Sequence, residues 1–206
     1  MRILLPGVIA MATIVVASNI LVQVPLGAFL TWGALTYPFA FLVTDLVNRL
    51  EGPATARRVV LAGFAVGVLC SFVGTQVMGE FGPLVTFRIA LASGLAFLCA
   101  QLLDIAVFNR LRQGAWWRAP LVSTLVSSTL DTLIFFTVAF SAVMTFIEPA
   151  NDVSWATAPA PLLGLGPTAP FWVSLAVGDW LVKLAMALLA LVPFRWAVAR
   201  IAAKVA

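Results

Sequence analysis

Apolar runs of about 20 residues, each closed by proline, glycine or arginine, set the rhythm of this chain. Six of them fall at about 3–23, 29–48, 58–79, 84–108, 120–146 and 170–194. A helix rises ~1.5 Å per residue, so ~20 apolar residues reach across a hydrocarbon core of ~30 Å. The pattern predicts an all-α integral membrane protein: a bundle of six transmembrane helices forming one domain over residues 1–206. Prolines and glycines crowd the connections, at Val24-Pro25-Leu26-Gly27, at Gly79–Pro83 and in "NRLRQGAWWRAP". The stretch "EPANDVSWATAPAPLLGLGPTAP", from Glu148 to Pro170, is too broken by proline to span. It reads as an outer lid, an interfacial loop or a plain linker. The first run follows Arg2 as a signal peptide would, but it lacks a clear small-residue cleavage site and is expected to be a retained helix.

Basic residues orient the bundle. Arg49, Arg57 and Arg58 fall between spans two and three, Arg110, Arg112 and Arg118 between four and five, and Arg195, Arg200 and Lys204 after six. The opposite connections hold only Glu80, Glu148 and Asp152 as charged residues. That asymmetry places both termini in the cytoplasm. Trp116, Trp117 and Trp196 beside the arginines read as an interfacial belt, with Trp155 and Trp172 doing the same outside.

Composition narrows the function classes. The chain is 63% hydrophobic and 10% charged, with a mean hydropathy of +1.09, far from a soluble domain. The net charge of +4 lies at the ends of apolar runs and not along a stripe, so no nucleic-acid partner is expected. Histidine is absent, which removes His-based triads, HExxH zinc sites and His proton relays. Cys70 and Cys99 lie inside apolar runs and are expected as buried thiols, without disulfide or metal spacing. No metal, cofactor or catalytic residue is expected, and the chain reads as no enzyme.

Each ionised group in a span costs roughly 2.5–3.5 kcal/mol at the bilayer centre and so needs a partner or a wet cavity. Asp131 lies mid-span, with Thr124, Ser127 and Ser128 on the same helix face. This stripe faces either a polar cavity or a neighbouring helix. Asp179 and Lys183 stand at i, i+4, either as a self-neutralising pair or as charges that exchange with a solute. Asn19 and Gln23 share a face of span one, and their amides suit the edge of a heterocycle. Trp32 and Phe39 offer stacking faces. Arg88 lies near the outer end of span four, and Gln101 and Asp104 near its inner end. Asp45, also near an inner end, precedes Arg49 by four residues, the spacing of a local pair. Such an interior suits a small, polar, planar solute. Gly63 and Gly67 form a small-residue face that packs helices within one chain or across a homodimer.

The segments "SNILVQVPL", "TWGALTYPFAFLVTDLVNRLEGPATARR", "AQLLDIAVFNRLRQ" and "WWRAPLVSTLVSSTLDTLIFF", followed by the Asp-xxx-Lys of span six, resemble the queuosine-precursor transporter family. The resemblance runs through most of the chain in order and is to stand-alone members of the bacterial inner membrane. It implies six helices and import of 7-cyano-7-deazaguanine, with 7-aminomethyl-7-deazaguanine as a second candidate, for salvage into the queuosine of tRNA. The physical reading assigns Asp131, Asp179, Lys183, Asn19, Gln23, Trp32, Phe39, Ser127 and Ser128 to substrate binding. Asp45, Arg49, Arg88, Gln101, Asp104 and Arg110 are assigned to gating or structural charge, with Arg49 and Arg110 as partners for Asp45 and Asp104. The alternatives are a substrate-binding subunit of an energy-coupling-factor transporter, an integral-membrane enzyme and a structural membrane subunit.

Overall fold

The computed structural model describes residues 3–80 and 82–205, with side chains through Arg200. Arg2 lies outside the described residues, as does the side chain of Lys204. Among the described residues, five helices are long and apolar enough to cross a membrane. They are α1 (Leu4–Leu21), α4 (Pro53–Gln76), α5 (Phe87–Leu111), α6 (Arg118–Phe140) and α8 (Phe171–Val205).

The expected second span is not one helix. It opens as a hairpin, β1 (Pro25–Leu26) on β2 (Leu30–Thr31), turned by Gly27 at φ 71°. A short helix α2 (Trp32–Thr36) follows, and α3 (Phe39–Glu51) begins after Tyr37 and Pro38. Proline has no N–H to give the preceding turn, so the helical ladder is interrupted at Pro38. The expected basic loop after it is also corrected. Gly52 alone separates α3 from α4, at a φ of 86° that suits glycine, and Pro53 starts the next helix. Arg57 and Arg58 therefore lie on the first turns of α4.

Span five stops at Phe140, short of the expected 146, and Ala142–Ile147 winds into a 3₁₀ turn. The Pro-rich stretch is ordered: α7 (Ser154–Thr157) leads into a hairpin of β5 (Pro159–Pro161) on β6 (Thr168–Pro170). Asp152 fixes its start by accepting from the Ser154 backbone at 2.8 Å and hydroxyl at 3.1 Å, which holds its carboxyl below the usual carboxylate range. A third hairpin, β3 (Met78–Gly79) on β4 (Gly82–Pro83), joins α4 to α5.

Packing is closest along α5–α6, α1–α4 and α6–α8. Met11, Val15, Val59, Val60 and Phe97 form the apolar core between α1, α4 and α5. Gly63 sets the α1–α4 approach, because a Cβ there would fall 2.5 Å from Met11 Cγ. The Gly63–Gly67 face is thus used within the chain. Cys70 is half-buried and Cys99 exposed, contrary to the buried thiols expected, and both are free. At the end of the bundle where α6 starts and α8 finishes, Arg195 lies 4.9 Å from the Trp116 ring centre and Arg200 lies 4.3 Å from that of Trp196.

Candidate functional site

A cavity of about 550 Å³ opens among α1, α2, α4, α5, α6 and α8. Its upper wall comes from the β1–β2 hairpin, Leu84, Trp155 and Phe171. Ring contacts join Phe140 to Trp155 at 5.5 Å, Trp155 to Phe171 at 6.4 Å and Phe171 to Phe29 at 6.1 Å. Phe64, Phe97, Phe135 and Phe136 line the depth.

The polar end is built on α6 and α8. Lys183 Nζ lies 2.6 Å from Asp131 Oδ2, 2.5 Å from Asp179 Oδ2 and 3.1 Å from Thr132 Oγ1. The Tyr37 hydroxyl donates to Asp131 Oδ1 at 3.0 Å, and the Thr132 hydroxyl donates to Asp179 Oδ2 at 2.8 Å. The Tyr37 ring lies 5.4 Å from the Lys183 ammonium. Two carboxylates around one ammonium leave one negative charge in excess. Asp131 has both oxygens engaged, whereas Asp179 Oδ1 accepts from no described residue. Asp179 is also the more open acid, its side chain 14% exposed against 4% for Asp131. Lys183 follows the start of α8 by twelve residues, roughly 18 Å along the axis and near the middle of a bilayer core.

The structure brings Asp131, Asp179, Lys183, Asn19 and Gln23 to the cavity wall. It does not bring Trp32, Phe39, Ser127 or Ser128 there. Trp32 and Phe39 are 45% and 40% exposed on the outside of the bundle. Ser127 and Ser128 are fully buried, donating to the Ser123 carbonyl at 2.6 Å and the Leu125 carbonyl at 3.3 Å. The hydroxyl stripe of α6 thus splits: Asp131 meets the cavity and the serines pack between helices. Asn19 Nδ2 is bonded to the Val15 carbonyl at 2.8 Å, which leaves its Oδ1 as the acceptor it offers.

The other assigned charges lie elsewhere. Asp45 does not pair with Arg49. Ser123 and Thr124 donate to the two Asp45 oxygens at 3.3 Å, while Arg49 Nη1 donates to the Arg112 carbonyl at 2.7 Å. Asp104 meets Ser127 Oγ at 3.5 Å and not Arg110, which is exposed. Gln101 Oε1 accepts from Thr44 at 2.5 Å. Arg88 faces the protein interior. It is fully buried and donates to the Val138 carbonyl at 2.6 Å and to the Ser141 carbonyl, tying α5 to the end of α6.

Tyr37, Thr132 and Glu148 are not marked out by the sequence pattern as site residues. Tyr37 had a signal: it is the chain's one tyrosine, mid-way along an apolar run and directly before a proline. Thr132 had only its place next to Asp131. Glu148, which accepts from the Arg88 backbone at 2.9 Å, had none beyond its charge.

Residues 31–198 match the family described as "Putative vitamin uptake transporter". The chain is 45% identical over 141 residues to the "Queuosine precursor transporter" of Escherichia coli strain K12. This chain belongs to the queuosine-precursor transporter family. Two further members are the "Probable queuosine precursor transporter" of Haemophilus influenzae, 41% identical over 154 residues, and that of Bacillus subtilis, 30% identical over 191 residues. The matches cover 62%, 62% and 83% of this chain and 64%, 65% and 72% of the three relatives. The chain thus spans just under two thirds of the length of the first two. No solved structure matches it. Membership agrees with an all-helical, multi-pass membrane architecture.

Proposed function

We propose that the chain is a carrier importing queuosine precursors, 7-cyano-7-deazaguanine above all, across the bacterial inner membrane. The observation that carries this reading is the Lys183–Asp131–Asp179 cluster at the polar end of an aromatic-walled cavity. A deazapurine is flat and presents ring N–H and amine donors on one edge. Asp179 Oδ1 is the free acceptor for that edge, and Lys183 holds the two acids in place while lowering the cost of their burial. Asn19 and Gln23 line the same space from α1 and would orient the polar rim. Phe64, Phe97 and Phe136, in place of Trp32 and Phe39, supply faces for stacking.

In this reading the chain is one domain with six crossings, α2 and α3 together making the second, and both termini cytoplasmic. The cavity's wall at the hairpin, Trp155 and Phe171 then lies on the outer side, and Asp45 and Asp104 lie near the inner side. A discontinuous helix beside a mid-membrane polar cluster is a common arrangement in secondary carriers.

Uptake of labelled 7-cyano-7-deazaguanine by liposomes holding only the purified chain tests the proposal. Uptake without an ATPase partner, lost in Asp131→Ala, supports it. Uptake that requires a separate ATPase favours an energy-coupling-factor arrangement, and uptake unchanged in Asp131→Ala counts against the Lys183–Asp131–Asp179 cluster as the recognition site.

A further inference from the structure

A second polar group lies on the seam of α3, α5 and α6, apart from the cavity. Asp45 and Asp104 are 2% and 0% exposed, and their carboxyl groups lie within hydrogen-bonding reach of each other. Three hydroxyls surround them: Ser123 and Thr124 lie 3.3 Å from the Asp45 oxygens, and Ser127, whose hydrogen goes to the Ser123 carbonyl, lies 3.5 Å from Asp104 Oδ1. Among the described residues no cation meets the pair. α1 carries no ionisable side chain, and on α4 Arg57 and Arg58 are exposed. Arg49 of α3 is bonded to the Arg112 carbonyl, and Arg88 of α5 to Val138 and Ser141. Arg110 of α5 and Arg118 of α6 are exposed at the helix ends, while Lys183 of α8 is held by Asp131 and Asp179 and Arg195 by the Trp116 ring.

Two contacting acids that were both ionised, buried and without a cation would repel strongly in so dry a place. The unpaired atoms of the seam agree. Asp104 Oδ2, Gln101 Nε2 and Asn48 Oδ1 are buried without a hydrogen-bond partner. Gln101 stands three residues before Asp104 on α5 and is held by Thr44, the neighbour of Asp45. A proton between the acids turns the contact of two acceptors into a donor–acceptor bond, and the Ser123 and Thr124 hydroxyls can then stabilise the single remaining charge. A crevice of about 10 Å³ beside Asp45, Thr124, Phe41 and Phe194 is room for about one water.

We propose that Asp45 and Asp104 form a proton-binding site and that loading and releasing this proton drives the carrier. The ligand is taken as a proton and not a sodium ion because the crevice beside Asp45, about 10 Å³, has room for about one water and not for an ion with its coordination shell. Losing the proton leaves two repelling carboxylates, which favours parting of α3 from α5. The shift would reach the cavity along α6, which carries Ser123, Ser127 and Asp131, and through Tyr37 just ahead of α3. The coupling rests on the carrier reading; the protonation does not.

Infrared spectroscopy of the purified protein in bilayers at neutral pH tests the site without substrate. The expected result is a protonated-carboxyl C=O band that moves in D₂O, vanishes in the Asp45→Asn/Asp104→Asn double variant and shifts in Asp104→Glu. A wild-type protein without this band, or a band unchanged in all variants, overturns the site. In liposomes with the membrane potential clamped, one proton per substrate raises the accumulation plateau about tenfold per pH unit of inward gradient. A plateau that ignores pH and follows a sodium gradient overturns proton coupling. Failure of any uptake counts against the carrier reading, while the infrared band still decides the proton site.

Discussion

Tyr37 and Asp131 lie 94 positions apart in the chain and meet through a 3.0 Å hydrogen bond at the polar end of the cavity. The bond joins the break between α2 and α3 to the middle of α6, so the discontinuity and the charge cluster form one unit. Tyr37→Phe keeps the ring against Phe41 and Phe97, at 6.2 and 6.3 Å, and removes only the hydroxyl. A hydrogen bond to a charged group contributes about 1.5–3 kcal/mol. Calorimetric titration with 7-cyano-7-deazaguanine is expected to show at least about tenfold weaker binding by this variant. Unchanged affinity would assign Tyr37 to packing alone.

Lys183 holds two acids at once, so removing it alone should be worse than removing it with an acid. Lys183→Met leaves Asp131 and Asp179 buried without their cation, a loss of about 3–5 kcal/mol by comparison with other broken buried pairs. The expected outcome is a poorly folded protein in detergent chromatography after heating. Adding Asp131→Asn should recover much of the heat resistance and none of the substrate binding.

Gly63 and Gly67 face the same helix at different distances. A Cβ at Gly63 falls 2.5 Å from Met11 Cγ, and one at Gly67 falls 3.5 Å from Val15. Gly63→Ala must displace Met11 and is expected to cost about 1–3 kcal/mol, whereas Gly67→Ala meets an ordinary contact. The difference in midpoint of thermal aggregation between the two variants measures this.

Arg88 spans two carbonyls, a geometry a single ammonium does not reproduce. Arg88→Lys should therefore lower the yield of folded protein nearly as far as Arg88→Leu. Glu148→Ala is milder: it frees the backbone N–H of Arg88, and hydrogen exchange should rise over residues 149–157 while the rest of α5 stays protected.

Much of the bundle was legible because long apolar runs report the solvent that a segment faces. They do not report whether its backbone is continuous. The run from Phe29 to Val43 is apolar but for Thr31 and Thr36, yet Pro38 divides it and residues 30–31 pair as strand. The Asp179–Lys183 contact was readable from its i, i+4 spacing, since both residues belong to one helix. The same spacing misled for Asp45 and Arg49. Asp45 turns inward to α6, while the longer Arg49 reaches the carbonyl of Arg112 just past the end of α5. The meeting of Asp131 with Lys183 and Tyr37 depends on three elements packing together, and no local pattern encodes it. The cavity's aromatic faces were hidden for the same reason. Phe135 and Phe136 look like any apolar residues of α6 until α1, α4 and α8 close around them.

In the proposed carrier, the open oxygen of Asp179, held by Lys183 beside Asp131, would recognise the donor edge of a deazapurine. Equilibrium binding of 7-cyano-7-deazaguanine, guanine and adenine to the wild-type protein and to Asp179→Asn reads this out. The wild type is expected to bind the two guanine-edged bases and to discriminate against adenine. Asp179→Asn, still monodisperse, is expected to bind the cyano base at least about tenfold more weakly. Equal affinities for wild type and Asp179→Asn, or a wild type that takes adenine as readily, would rule this recognition out.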